Sequence, residues 1–433
     1  MTLPDKPTGL LPAQVTALHA MRAAKCVAGF GLTLAAGAIL RDSLQGESRA
    51  LFSWLLGFSV WFSAALGMLL LTMLFYVFGA GWPIVIRRQL EHCLHVFPYL
   101  AGVLAPLVIL AWVYPEYAAK LWKWMNPHAL LASGGTVGAD ALYQSKKAYL
   151  NIPFFTVRVA LYFAVFCTLS YWLRKASFQV DQGGGLQWVH RAERYSALGL
   201  PLVALCLTFA AFDLFMSISY HWFSTMYGVW FFATSMRAGL AVTLLLCSYL
   251  STQPGRPLHG LFNSRHTYQL GCLSLAFTVF WAYISFCQYF LIYNANIPEE
   301  TFWYNMRELL HDGTLSSWWH LSLWGLIGGY FVVPFLALLF YNNKIVRWRI
   351  VVISLWIMVF HGIDLYFNLL PHQIPSDNPM GYTVPPFSIT LSDLAAIIGT
   401  GSLCAYAYLK SFASQSLIPH RDPYILESIQ AHG

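Results

Sequence analysis

The sequence predicts an all-α polytopic membrane protein, and three observations carry that prediction. Of the 433 residues, 58% are hydrophobic and only 10% are charged, whereas a soluble domain carries roughly 25% charge. Mean hydropathy is positive, at +0.56. The apolar residues are also gathered into long runs, and about ten of these approach or exceed the length that crosses a hydrocarbon layer of roughly 30 Å. In lipid the backbone must satisfy its own N–H and C=O groups, so each run reads as a transmembrane helix. A net charge of +7 would suit nucleic acid in a soluble chain. Here Lys and Arg fall in the connections between runs, where they orient helices, and no nucleic-acid partner follows.

In chain order the runs cover 25–40, 51–79, 93–114, 152–173, 196–216, 223–250, 268–293, 317–341, 346–367 and 390–412. The first is the weakest, being short and carrying Gly29, Gly31 and Gly37, which lower helix propensity. Alternating the spans places most Lys and Arg on the side of the two termini, including Arg87, Arg88, Arg174, Lys175, Arg191 and Arg194. Both termini are therefore expected in the cytoplasm, in a multi-pass protein of a bacterial cytoplasmic membrane. The segment before Lys25 has no short apolar core followed by a small-residue cleavage site, and is expected to be a retained cytoplasmic tail. Three outer connections are long: 115–151, 294–316 and the Pro-rich 368–389, expected to be an irregular lid. The glycines of Asp181 to Gly185 read as a flexible inner connector. None of the eight cysteines forms a CxxC or CxxCH motif, which argues for packing and against an iron–sulfur cluster, c-type haem or zinc knuckle. No helix carries two histidines at the spacing of a stacked haem pair, so the chain is expected to own no redox metal.

A repeat organises the middle of the chain. FDLFMSISYH (Phe212 to His221) aligns without gaps to IDLYFNLLPH (Ile363 to His372), placing Asp213 over Asp364 and His221 over His372. The fifth helix then corresponds to the ninth, and the repeat is a parallel one of four helices, two to five and six to nine. At the helical rise, Asp213 lies about 25 Å and Asp364 about 27 Å from the starts of their helices, in the outer third of the membrane.

Ionisable residues within spans are costly and so are the candidate functional residues. They are Asp213, His221, Arg237, Arg158, His320, His361, Asp364 and Asp393. His361 and Asp364 are three apart and share a helix face. Such pairs suit a quinol site, where protons are released as electrons depart, and suit a proton relay equally well. Arg237 falls near mid-membrane and needs a carboxylate or carbonyl partner; a structural counter-ion and a catalytic group are both open readings. No metal ligand set is apparent.

Four stretches carry a resemblance: KKAYLNIPFFTVRVALYF (Lys146 to Phe163), AFDLFMSISYHWFSTMYGVWFF (Ala211 to Phe232), FWAYISFCQYFLIYNANIPEETFWY (Phe280 to Tyr304) and PHRDPYILESI (Pro419 to Ile429). The chain resembles the polysulfide-reductase-like (NrfD-like) membrane subunits, most closely the second such subunit of alternative complex III, a quinol:cytochrome c oxidoreductase. The resemblance implies two four-helix bundles plus flanking helices. It also implies partners: a multihaem c-type cytochrome, a mono-haem cytochrome c, an iron–sulfur protein and a homologous NrfD-like subunit. Where related chains read SLDPHW, this one reads Ser217-Ile218-Ser219-Tyr220-His221-Trp222, so a carboxylate at the outer end of the fifth helix is missing.

The expected organisation is a tail and first helix over 1–50, a first bundle over 51–222, a second bundle with its outer loop over 223–389, and a last helix with a tail over 390–433. The expected function is that of an integral subunit of a quinol-oxidising respiratory complex, contributing proton conduction or quinone binding and not catalytic alone. Menaquinone or ubiquinone is the quinone implied. The alternatives are the membrane anchor of a molybdenum-type reductase and a secondary transporter.

Overall fold

The computed structural model describes residues 12–131, 134–310, 313–373 and 384–429. Among these, ten long helices form in chain order. They are α1 Pro12–Gln45, α2 Arg49–Val77, α3 Ile84–Val113, α4 Ile152–Gln179, α5 Leu186–Leu214, α6 Tyr227–Leu250, α7 Ser264–Ala295, α8 Ser317–Leu339, α9 Arg347–Leu369 and α10 Leu391–Ser414. Nine of them, α1 to α9, are long and apolar enough to cross a membrane. The chain is thus an all-α multi-pass membrane protein. The weakest span is α10, not α1 as expected. Asp393, Lys410 and several small polar residues dilute α10, while α1 runs 34 residues because its helix continues beyond the apolar run at both ends. The Pro-rich lid expected over 368–389 lies at 374–383 outside the described residues.

Local chemistry sets the helix starts. The Asn151 side chain accepts from the Phe154 amide ahead of α4, with Pro153 in the first turn. Asn263 and His266 form a reciprocal cap on α7, and Thr390 and Asp393 do the same on α10. Between α4 and α5 the chain reverses through Gly183 and Gly185, both at positive φ, a conformation that costs glycine little.

Packing gives two rings of four helices. α2 meets α3, α3 meets α4, α4 meets α5, and α5 returns to α2; α6 to α9 close in the same way. The bundles join chiefly along α2 and α6, and α1 pairs with α10 against the outside of α2. The α2–α6 crossing turns on Gly67 and Gly239. A Cβ on Gly67 would lie 1.9 Å from the Ser235 carbonyl oxygen, and one on Gly239 would lie 2.7 Å from the Gly67 carbonyl carbon. Only glycine lets the two backbones approach so closely, the usual device for helix contact in lipid.

The repeat is visible in local bonding. Four residues after each aspartate, Ser217 and Asn368 donate to the carbonyl oxygens of Asp213 and Asp364, at 2.6 and 2.8 Å. Both helices then tighten into short 3-10 turns, Met216–Ser219 and Leu370–His372.

Candidate functional site

Although the aspartates correspond in sequence, the bundles treat them differently. Asp213 is fully buried at the end of α5 and receives Arg158 from α4 in a two-pronged pair, Nε to Oδ2 at 2.7 Å and Nη2 to Oδ1 at 3.0 Å. Tyr162, one turn along α4 from Arg158, donates to the same carboxylate at 2.7 Å. The guanidinium is finished by the Tyr149 carbonyl at 2.8 Å and by the Tyr149 ring, 3.7 Å from its centroid. Asp213 thus accepts three side-chain hydrogen bonds, two of them from a cation.

Asp364 has no such cation: among the described residues no ion pair reaches it. Its Oδ2 accepts from the Thr234 hydroxyl and the Trp281 indole, each at 3.1 Å. Thr234 also lies 3.2 Å from His361 Nδ1 and 3.2 Å from the Tyr330 hydroxyl, while His361 Nε2 lies 2.8 Å from Ser63 Oγ of α2. The result is a hydrogen-bonded chain running from α2 in the first bundle through α9 and α6 to a buried carboxyl in the second.

Arg237 stands beside this chain on α6, fully buried. Its Nη2 donates to the Tyr330 carbonyl at 2.6 Å, and its guanidinium lies 3.6 Å from the Tyr330 ring centroid. The carbonyl is available because Pro334, four residues on, has no N–H to donate to it, and α8 runs as a π-helix over Leu321–Val332 just before, a geometry that often marks functional positions. Arg237 Nε and Nη1 and Ser235 Oγ have no protein partner, nor do Ser274 Oγ on α7 and Ser354 Oγ on α9. Ser274 and Ser354 each lie seven residues before Trp281 and His361 on the same helix faces, so polar groups continue along the second bundle's interior. Buried donors without a protein partner are where ordered water resides.

The first bundle carries a cluster of phenylalanines in its interior, beside the buried Ser59 and Ser170. Phe62 stacks on Phe58 at 4.9 Å and meets Phe163 at 5.6 Å and Phe166 at 5.9 Å. All four rings are buried.

The other candidates disperse. His221 leaves the Asp213 cluster and pairs with Asp140 of the 115–151 connection, Nε2 to Oδ2 at 2.6 Å, with the Tyr220 hydroxyl on the same oxygen at 2.8 Å. His221 thus takes its carboxylate partner from another loop. Its repeat partner His372 meets Arg307 of the equivalent connection at 3.2 Å, a residue of opposite charge. Arg307 also caps the end of α9 through the Phe367 and Asn368 carbonyls. Burial pushes its guanidinium down to about 9, so it remains a cation at neutral pH. Asp393 pairs with Arg49 and Ser53 at the start of α2, fastening α10 there. His320 is exposed and joins no cluster.

Burial works to raise the Asp140 carboxyl, but Tyr220, the Leu142 amide and His221 outweigh it and hold the group below its ordinary value. A depressed carboxylate stabilises the fold above the unfolded value, about 3.9, and that contribution is lost as pH falls through the folded value. Protection of the amides in the 134–150 stretch, corrected for intrinsic exchange, is therefore expected to fall below about pH 4, and Asp140→Asn to show the lower protection already at neutral pH. Wild-type protection that does not change across this pH range would contradict this.

A second buried network was hidden in the sequence. At the opposite, basic end, Glu91 accepts from Tyr76 at 2.7 Å and lies 3.4 Å from both Arg87 and Arg88. Arg88 reaches Asp181 at 2.8 Å, and Arg87 reaches Asp422 of the tail. The tail thereby covers the start of α3, with Gln89 and His92 bonding the Leu417 and Ser416 carbonyls. The DP pair within PHRDPYILESI was the available signal.

No family model matches the chain, and no characterised protein matches it in sequence.

Proposed function

We propose that the chain is an integral membrane subunit of a respiratory quinol:electron-acceptor oxidoreductase of the alternative complex III, NrfD-like type, and that it conducts protons through its second bundle. The observation that carries this reading is Asp364: buried, held by neutral donors, linked through Thr234 to His361, and free of any ion pair among the described residues. A carboxyl held in this way takes up and releases a proton without breaking an ion pair. Asp213 is locked to Arg158 and serves as an anchor.

Electrons travel in the partners: a multihaem c-type cytochrome, a mono-haem cytochrome c, an iron–sulfur protein and a homologous NrfD-like subunit. Oxidation of menaquinol or ubiquinol is assigned to that homologous subunit, as the resemblance implies. The membrane is the bacterial cytoplasmic membrane, with both termini inside. Purification of the tagged chain from native membranes in mild detergent is expected to bring down covalently bound c-type haem in more than one copy per chain. A stable, haem-free chain that moves a solute across vesicles would overturn the reading in favour of a transporter. Recovery of a molybdenum protein in place of the cytochromes would make the chain a reductase anchor.

A further inference from the structure

At the basic end of the bundles an open cleft of about 470 Å³ separates the end of α2 from the first turns of α5. Its walls are Tyr76, Val77, Phe78 and Gly79 on one side and Glu193, Arg194 and Ala197 on the other. Two features distinguish it from the general lipid-facing surface. Glu193 and Arg194 put one negative and one positive charge side by side in the cleft, and Arg194 has no hydrogen bond or ion pair among the described residues. Glu193 has a single partner, the exposed His190, at 3.1 Å. In addition, an apolar track leads away from the cleft along one face of α5. Leu198, Leu202, Leu205 and Phe209 follow Arg194 at helical spacing and are all exposed, Leu198 at 79%. Phe78, exposed at 78%, faces the start of that track from α2.

A ligand complementary to these features has a phosphate for Arg194, a primary ammonium for Glu193 and an acyl chain for the track. We propose that the cleft is a binding site for a phospholipid with a zwitterionic phosphoethanolamine headgroup. Arg194 offers the phosphate charge-assisted hydrogen bonds at the edge of a low-dielectric layer, where they are strongest. Glu193 selects a headgroup that donates N–H, which a choline headgroup lacks, and repels one that carries only negative charge. The site is independent of the proton path: Tyr76 contributes to the wall while its hydroxyl is committed to Glu91.

The test uses the complete chain in its purified complex, stripped of loosely held lipid in detergent. Lipids with matched acyl chains and phosphoethanolamine, phosphocholine or phosphoglycerol headgroups are returned in turn, and retention is read by native mass spectrometry. One phosphoethanolamine lipid is expected to be retained about tenfold better than either competitor. Arg194→Gln is expected to abolish retention, and Glu193→Gln to erase the preference over phosphocholine. Arg191→Gln, whose guanidinium stacks on Trp188, should leave both unchanged. Equal retention of the three lipids, or wild-type retention in Arg194→Gln, would overturn the proposal. So would preference for phosphoglycerol, or displacement of the lipid by inorganic phosphate at matched concentration. A photoreactive acyl chain on the phosphoethanolamine lipid provides a readout that needs no variant: crosslinks are expected within residues 194–209 or at Phe78, and crosslinks confined elsewhere would refute the site.

Discussion

On the proposed function, Asp364→Asn is expected to reduce quinol-driven proton release by the assembled complex by at least about a hundredfold, the usual scale for loss of a positioned proton-transfer group. Asparagine keeps the volume and can still accept from Thr234 and Trp281 through its amide oxygen, so packing around α6, α7 and α9 is retained. It cannot exchange a proton with the His361 chain. The measurement is acidification by the complex in proteoliposomes, with haem content checked in the same preparation. Full proton release from a complex with normal haem content would remove Asp364 from the path. Loss of haem partners in the variant would instead indicate a role in assembly.

The second large effect falls on the first bundle and concerns stability. Arg158→Leu leaves Asp213 as an uncompensated buried charge, and the expected cost is about 3–5 kcal/mol. Asp213→Leu strands Arg158 to a similar extent. The double variant Arg158→Met with Asp213→Leu removes both charges, and its stability is expected to return to within about 1–2 kcal/mol of the wild type, since apolar replacement of a buried pair is often neutral. Thermal unfolding of the detergent-solubilised protein reads all three. A double variant as unstable as the singles would mean that Tyr162 or Tyr149 depends on the ion pair. A stable Asp213→Asn that nevertheless blocks proton release would move the conducting role to the first bundle.

What the sequence made legible follows from what a bilayer enforces. Unpaired backbone cannot face lipid, so each span leaves a long apolar run, and the runs predicted for α2 to α9 correspond to helices. The ends were less legible, because helical hydrogen bonding continues past the apolar stretch, as in α1. The correspondence of Asp213 with Asp364 was readable; their unlike surroundings were not. Arg158 lies 55 residues from Asp213, and the donors to the Asp364 carboxylate are a threonine, a tryptophan and, at 3.5 Å, an asparagine, which no charge pattern marks. Arg87 and Arg88 looked like orienting charges in a connection. They are instead buried in the first turns of α3, beneath a tail whose position only the fold determines.

The phenylalanine layer of the first bundle has an electrical meaning. Carrying one elementary charge through a membrane potential of 100 mV involves about 2.3 kcal/mol, so on the proposed reading a leak through the first bundle would dissipate what conduction through the second stores. Phe58, Phe62, Phe163 and Phe166 set four buried rings across the interior of the first bundle. On the proposed reading, one copy of the repeat became a conductor and its twin an insulator, and the Gly67–Gly239 contact holds the two side by side in the same field.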